Sequence, residues 1–199
     1  MRSNRARCTI PMTPTLSVVI PTKNEEKYLP NVLDALARQT LLPTEIIVAD
    51  AASDDATRDV AQRAGAKVVD GGLPSVGRNK GAAASTSDLI FFLDADVVIA
   101  DDRFLEKAMQ EFVAKRFDIA TADVDVIGGT LFDKFAHRFY NVYVRVLNRF
   151  HPHAPGFCIL VRRSLHEAIG GFDETVLFCE DHDYAGRAAK KGKFGILND

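Results

Sequence analysis

The sequence predicts a single α/β domain organised around a mostly parallel sheet, and three observations support this prediction. Short apolar, β-branched runs alternate with helix-like segments through the first half of the chain. Several of these runs are apolar at nearly every position, which is typical of strands covered on both faces by helices. The length of 199 residues suits one sizeable core. Strands and helices that alternate in this way are joined by right-handed crossovers into a parallel sheet.

Each element of the first half has its own signal. The first apolar run is stopped by a proline, and the segment after it carries apolar residues at helical spacing. The second helix has a Ser/Asp start and a glycine stop. The predicted strands are LSVVIP, EIIVAD, AKVVD and DLIFFLD. The predicted helices are EEKYLPNVLDALARQ, SDDATRDVAQRAG and SVGRNKGAAAS. The order is therefore βαβαβ, followed by a further helix and a fourth strand.

The second half has a less regular pattern. The predicted elements are a helix over 103–115, a strand near FDIATADVDV, an amphipathic helix over 131–150, the strand FCILVRR and two short helices. Two interpretations stay open for the helix over 131–150, whose basic residues gather beside an apolar stripe. It is either an ordinary core-facing helix with a solvated basic side, or a peripheral contact with a membrane surface or a lipid-phosphate acceptor.

Composition narrows the classes of partner and the cellular location. The formal net charge of −2 and the pI near 6.2 give no global basic field, so we expect no nucleic-acid partner. The three cysteines include no CxxC pair, which argues against a disulfide framework and favours the cytoplasm. A location at the inner face of the membrane is the alternative. Residues 1–15 lack the apolar core of a secretory signal and are predicted to be a flexible leader before a domain at 16–199.

Polar residues follow the predicted strands at their carboxyl ends, where open α/β sheets bind ligands. The first strand ends in Pro21, Thr22 and the residues up to Glu25, and the second ends in Asp50. The GxGxxG turn of dinucleotide folds and the GxxxxGK[ST] phosphate loop are both absent from the sequence. A dehydrogenase or a P-loop NTPase is therefore not expected.

The fourth strand ends in the triplet Asp94, Ala95 and Asp96. In an extended chain residues i and i+2 point to the same side, so two carboxylates would lie together and repel each other. A hard divalent cation, Mg²⁺ or Mn²⁺, would remove this conflict and takes only one or two carboxylates in many sites. The alternative is that Asp94 caps a turn while Asp96 is solvated.

Six blocks of the sequence together resemble family 2 glycosyltransferases of the GT-A fold. The blocks are IPTKNE, EIIVADAASDDAT, GRNKGAA, FFLDADV, RRSLHEAIGGFDE and EDHDYAGRAAKKG, and the resemblance runs from Leu16 to the C-terminus. It implies a Rossmann-like nucleotide-sugar half at 16–96 and an acceptor and catalytic half at 97–199. It also implies that FFLDADV contains the family's DxD motif.

The resemblance also implies roles for individual residues. Asp181 would be the catalytic base, and Glu180 would orient it or the acceptor. Asp96, together with Asp94, would hold the divalent metal. The implied nucleotide-sugar-binding residues are Pro21, Thr22, Glu25, Asp50, Arg78, Asp94 and Ala95. Asp50 would bind the base, and a purely structural role as a helix cap is less expected because Ser53 and its neighbours are better placed.

The implied reaction is transfer of a hexosyl group with inversion. The donor would be a nucleotide-diphosphate sugar, most simply a UDP-sugar, and the acceptor a glycan or lipid-linked hydroxyl. The resemblance further implies a role in the biosynthesis of cell-envelope polysaccharide or glycolipid. Two alternatives stay open: a sugar nucleotidyltransferase, which would want a glycine-rich first loop, and a non-catalytic domain that binds sugar nucleotides.

Overall fold

The computed structural model describes residues 14–123, 130, 139, 145 and 154–198. Within these residues the strands are β1 (Leu16–Thr22), β2 (Glu45–Asp50), β3 (Lys67–Asp70), β4 (Leu89–Leu93), β5 (Ile119–Ala122), β6 (Cys158–Arg162) and β7 (Phe194–Leu197). The helices are α1 (Leu29–Ala37), α2 (Thr57–Arg63), α3 (Pro74–Ala84), α4 (Phe104–Ala114), α5 (Arg163–Ala168) and α6 (Glu180–Ala189). The predicted βαβαβ start of the chain is confirmed.

The strands form one sheet in the order β3-β2-β1-β4-β6-β5-β7. Every neighbouring pair is parallel except the two pairs that contain β6. The central strands are buried on both faces, since all five residues of β4 are buried. One core cluster lies between the sheet and α1 and α4, and the other lies between the sheet and α6. The prediction of a mostly parallel, two-sided sheet is confirmed.

The order of strands creates a switch point between β1 and β4. The chain first builds β1, β2 and β3 toward one side, and α3 then returns it so that β4 pairs on the other side of β1. A crevice at the carboxyl ends of β1 and β4 is where such sheets bind ligands. The register places Thr22 directly opposite Asp50 at this edge.

Two glycines let α3 lie against the sheet at this switch point. A Cβ atom on Gly81 would overlap the side chain of Val19, and one on Gly77 would lie 3.3 Å from Cβ of Pro21. Helices approach strands this closely only where the contacting residue lacks a side chain. The close packing holds Arg78, the residue after Gly77, at the carboxyl edge of the sheet.

The structure differs from the predicted elements at three places. Helix α1 begins at Leu29, later than predicted, because the preceding residues form turns and Pro30 occupies the first turn. Helix α2 begins at Thr57 because Ser53 bonds Asp50 instead of capping the helix. Strand β7 was not predicted, since four residues with a glycine give little local signal and depend on pairing with β5.

Most of the predicted helix over 131–150 lies outside the described residues. Phe139 and Arg145 are helical, and Phe139 is 66% exposed. Arg145 donates to Asp123 at 2.8 Å. The membrane interpretation of this segment stays a prediction. Across the portion of the chain that the structure describes, no helix combines the length and apolarity needed to cross a bilayer.

Candidate functional site

Asp50 lies at the carboxyl end of β2 with its side chain fully buried. Its carboxylate accepts hydrogen bonds from Ser53 N at 3.1 Å, Thr22 Oγ1 at 3.2 Å and Arg58 Nη1 at 3.2 Å. Ser53 Oγ donates a further bond at 2.5 Å. Burial acts to raise the pKa of Asp50, but these hydrogen bonds outweigh it and lower the pKa below its ordinary value. Asp50 is therefore an ionised acceptor held by the end of β1, the loop after β2 and helix α2.

The two carboxylates after β4 lie in different surroundings. Asp94 is half-buried and Asp96 is exposed. Arg78 Nη2 donates to Asp94 Oδ1 at 2.9 Å, so an arginine already offsets part of the repulsion between the two aspartates. Burial nevertheless raises the pKa of Asp94, and the charges of Asp96 and Glu180 add to this while Arg78 opposes it. Further positive charge in front of this pair would stabilise its ionised form.

Arg78 connects the two halves of the site. Its side chain is 4% exposed, and Nη1 donates to Glu180 Oε1 at 2.8 Å. Nη2 also donates to the carbonyl oxygen of Gly156 at 3.2 Å. The guanidinium lies 5.4 Å from the centre of the Phe172 ring. A buried arginine with two carboxylate partners is fixed in position, because losing either partner would leave charge uncompensated.

Asp181 is held by a backbone group that sequence reasoning missed. Gly156 N donates to Asp181 Oδ2 at 2.6 Å. A Cβ atom on Gly156 would lie 2.8 Å from Arg78 Nη2 and 3.3 Å from Asp181 Oδ2. The only sequence signal for this role is a glycine placed just before a strand, in the segment HPHAPGFC.

The antiparallel direction of β6 explains why Gly156 reaches this position. Cys158 pairs with Leu93, and Asp94 N donates to the carbonyl of Phe157 at 3.3 Å. The start of β6 therefore lies at the carboxyl end of β4. Helix α6 begins beside it and brings Glu180 and Asp181 to the same edge.

The remaining predicted residues line the edge near β1. Thr22 is buried against Asp50, while Pro21 and Glu25 are half-buried. Ala95 is 4% exposed. Burial raises the pKa of Glu25, with further contributions from the charges of Asp96, Asp55 and Asp94. Glu25 thus adds to the negative potential at the predicted metal position.

The residues at this edge fit a divalent cation that takes few protein ligands. The described part of the chain contains no group of three or more His, Cys, Asp or Glu side chains that could hold a metal. Asp96, which is exposed, and Asp94, which Arg78 already engages, would supply one or two carboxylates. Mg²⁺ and Mn²⁺ accept such sites when water and substrate phosphates supply the other ligands.

An aromatic cluster packs behind Arg78 and fixes its surroundings. The rings of Phe172 and Tyr184 stack with centroids 3.9 Å apart, and Phe92 meets Phe172 edge-on. His166 Nδ1 and the Tyr184 hydroxyl share a hydrogen bond of 2.9 Å. Arg187 forms an ion pair with Asp183 at 2.7 Å and also donates to the carbonyls of Ile169 and Gly171.

Because His166 is buried, we expect the protein to lose stability in acid. Burial lowers its pKa from 6.5 to about 4, with the charges of Arg163 and Arg187 adding to the effect. Between these values the unfolded chain binds more protons than the folded one, so the free energy of unfolding rises with pH from about 4 to 6.5. The contribution lost on acidification is about 3 kcal/mol. In denaturant unfolding at several pH values, the free energy of unfolding should depend less steeply on pH for His166→Gln than for the wild type, because the glutamine amide does not titrate. If the free energy of unfolding changed equally with pH in the wild type and in His166→Gln, the prediction would be wrong.

Comparison with known proteins agrees with the resemblance in the sequence. The 4,4'-diaponeurosporenoate glycosyltransferase of Staphylococcus haemolyticus is 35% identical over 114 residues, which cover 53% of this chain and 30% of that protein. The uncharacterized glycosyltransferase EpsJ of Bacillus subtilis is 28% identical over 204 residues, covering 87% of this chain and 55% of that protein. The chain thus spans between about a third and about half of these relatives' lengths.

Solved structures share the fold at low sequence identity. The mannosyltransferase PcManGT of Pyrobaculum calidifontis, in complex with GDP-Man and Mn²⁺, has a TM-score of 0.77 and 23% identity. The match covers 93% of this chain and 55% of that one. S. aureus TarS 1-349 in complex with UDP has a TM-score of 0.74 and 21% identity, covering 93% and 58%.

The fold places the chain among proteins of the GT-A type. This confirms the predicted fold class, a Rossmann-like half continued into a mixed second half. The sequence model of the family described as "Glycosyl transferase family 2" matches residues 17–170, and the chain belongs to that family.

Proposed function

We propose that the chain transfers a hexosyl group from a nucleotide-diphosphate sugar, most simply a UDP-sugar, to an acceptor hydroxyl with inversion. One observation carries the proposal. Arg78 bonds both Asp94, at the predicted donor side, and Glu180, beside the predicted base. A single buried guanidinium thereby sets the spacing between the leaving group and the base, and transfer depends on such positioning.

The donor side of the site comprises the ends of β1, β2 and β4. We assign the nucleoside to Asp50, Thr22 and Pro21, with Glu25 and Ala95 bordering it. Asp96, assisted by Asp94, would hold a divalent cation, Mn²⁺ or Mg²⁺. When bound, such a cation stabilises the negative charge that develops on a diphosphate leaving group.

Asp181 is the proposed catalytic base. Its Oδ2 accepts the Gly156 amide at 2.6 Å and its Oδ1 accepts the His182 amide at 2.8 Å, and these two backbone donors fix the position of the carboxylate. Glu180 is engaged with Arg78 and is assigned to positioning. Removal of the acceptor proton by Asp181 during attack opposite the leaving diphosphate gives a single displacement, and this inverts the anomeric configuration.

Replacing Asp96 tests the donor side. In calorimetric titrations of UDP, we expect Mn²⁺ to strengthen binding by about tenfold or more in the wild type, an effect of at least about 1.4 kcal/mol. Asp96→Asn should lose most of this effect because it removes the exposed carboxylate. Excess chelator should lower the wild-type affinity to that of the variant.

Asp102→Asn is the matched control, since Asp102 is an exposed aspartate paired with Arg38 away from this edge. If the affinity for UDP stayed the same when Mn²⁺ or chelator was added and when Asp96 was replaced by Asn, the metal assignment would be wrong. Release of free sugar and nucleoside diphosphate from the donor would separate transferase chemistry from mere binding. Release of pyrophosphate from a nucleoside triphosphate would indicate a nucleotidyltransferase instead.

A further inference from the structure

Asn79 follows Arg78 on α3, and its side chain bonds a turn far along the chain. Its Oδ1 accepts the backbone amide of Phe172 at 2.8 Å, and its Nδ2 donates to the carbonyl oxygen of Phe172 at 2.9 Å. Nδ2 also donates to Glu174 Oε1 at 2.9 Å. The side-chain amide thus pairs with both backbone groups of Phe172, as a residue of a neighbouring antiparallel strand would.

Arg78 and Asn79 hold the two ends of one segment. Arg78 bonds Glu180 at the start of α6, while Asn79 bonds Phe172. Adjacent residues of a helix point in directions about 100° apart, so these two reach different parts of the neighbouring chain. The segment 172–180, which leads into the proposed base, is therefore fixed at both ends by one helix.

The side chain of Phe172 contacts both α3 and α6. Its ring stacks on Tyr184 of α6 with centroids 3.9 Å apart, and it lies 5.4 Å from the guanidinium of Arg78 on α3. Arg187 of α6 donates to the carbonyl oxygen of Gly171, the preceding residue, at 2.8 Å. The turn that α3 holds through its backbone is thus packed against the helix that carries the proposed base.

Gly156 is held by the same two helices. Its carbonyl oxygen accepts a bond from Arg78 of α3, and its amide donates to Asp181 of α6. The bonds of Asn79 go instead to the turn at 172–174. An effect of Asn79 on the Gly156 amide would therefore have to pass through the placement of the two helices.

We propose that Asn79 is a positioning residue for sugar transfer: through the backbone of Phe172 it fixes α6 relative to Arg78, and thereby Asp181 relative to the donor side. This role rests on the proposed function for its effect on transfer, whereas the placement of Asp181 is measurable without turnover. A merely structural asparagine would contribute stability and leave the site of the folded protein unchanged.

Hydrogen exchange of the Gly156 amide, followed by NMR in the folded protein, tests this role. Asn79→Asp is nearly isosteric and keeps an acceptor for the Phe172 amide, but it removes the donor to the Phe172 carbonyl. We expect the Gly156 amide to exchange at least about tenfold faster relative to the amide of Val48, buried in β2, because an unpaired carbonyl loosens the turn. Asn31→Asp, the same change at an exposed position of α1, should leave this ratio unaltered.

Steady-state kinetics supply a second readout. In Asn79→Asp, kcat for sugar transfer should fall about tenfold or more, since transfer depends on the placement of the base. KM for the donor and the calorimetric affinity for UDP should stay near the wild-type values. Loss of stability alone would lower the folded fraction and leave kcat per folded molecule unchanged.

A double variant separates the two partners of Asn79. Asn79→Asp places a carboxylate beside Glu174, and Glu174→Gln in the same protein removes that repulsion. The Gly156 amide should still exchange fast, because the Phe172 carbonyl lacks its donor. Full recovery would assign the effect to Glu174 and overturn the role of Phe172.

A measurement on the unaltered chain covers an Asn79→Asp protein that fails to fold. Nδ2 of Asn79 donates to two acceptors, so its protons should exchange at least about tenfold more slowly than the side-chain amide protons of the exposed Asn31. Equal exchange of the two side chains would overturn the proposal.

Three results on folded Asn79→Asp would also overturn it: an unchanged Gly156 amide, equal acceleration of the Gly156 and Val48 amides, or an unchanged kcat. Absence of UDP binding or of sugar transfer in the unaltered chain would instead count against the proposed function. The two failures are therefore distinguishable.

Discussion

Asp181→Asn should lower sugar transfer by about 10² to 10⁴-fold, the range expected when a positioned general base is removed. Asparagine is nearly the same size as aspartate, and its carbonyl oxygen can still accept the Gly156 amide that now bonds Oδ2 at 2.6 Å. The variant therefore keeps the Gly156 contact and loses basicity, together with one of the two backbone hydrogen bonds, since His182 N also donates to Oδ1 at 2.8 Å. Nucleotide affinity measured by calorimetry, and the free energy of unfolding, should stay close to the wild type.

Glu180→Gln is the matched control for this change. Glu180 accepts a hydrogen bond from Arg78 at 2.8 Å. The glutamine amide of the variant keeps one acceptor oxygen for the guanidinium but removes a compensating negative charge. We expect a smaller loss of transfer than in Asp181→Asn. Adjacent residues at a helix start point in directions about 100° apart, so both carboxylates cannot address one proton equally. An active Asp181→Asn with an inactive Glu180→Gln would assign the base to Glu180. If both variants stayed active, neither Glu180 nor Asp181 would be the catalytic base.

Gly156→Ala should reduce transfer by about 10²-fold, because misplacing reacting groups by about 1 Å can cost that much. The added Cβ would lie 2.8 Å from Arg78 Nη2, and Arg78 cannot retreat while Asp94 and Glu180 hold it. Asp181 would shift as well, since the new atom lies 3.3 Å from its Oδ2. Overpacking of this kind should also lower the free energy of unfolding by about 1–3 kcal/mol.

Gly186→Ala makes the same substitution where the added atom meets nothing within 4 Å. Gly186 lies within α6, so alanine should raise the free energy of unfolding by up to about 1 kcal/mol through its helix propensity. Initial-rate assays and denaturant unfolding of both variants provide the comparison. Equal effects of the two substitutions on transfer would show that Gly156 has no special role in positioning Asp181.

The sequence by itself determined the first half of the fold and the identity of the charged residues at its edge. Continuous apolar strands such as DLIFFLD, alternating with segments of helical apolar spacing, are local patterns that require a parallel sheet covered on both faces. Parallel strands bring their carboxyl ends to one edge. Asp50 and Asp94 are therefore predictable at that edge from the sequence alone.

Only the tertiary structure decided which of these groups touch one another. Arg78 bonds Glu180 across 102 positions of sequence, and Gly156 bonds Asp181 because β6 runs antiparallel to β4. Likewise β7 exists only through its pairing with β5. Local patterns encode hydrogen bonds and apolar periodicity within a segment, whereas the direction and order of distant strands follow from packing the whole core. The placement of the proposed base is a property of that packing.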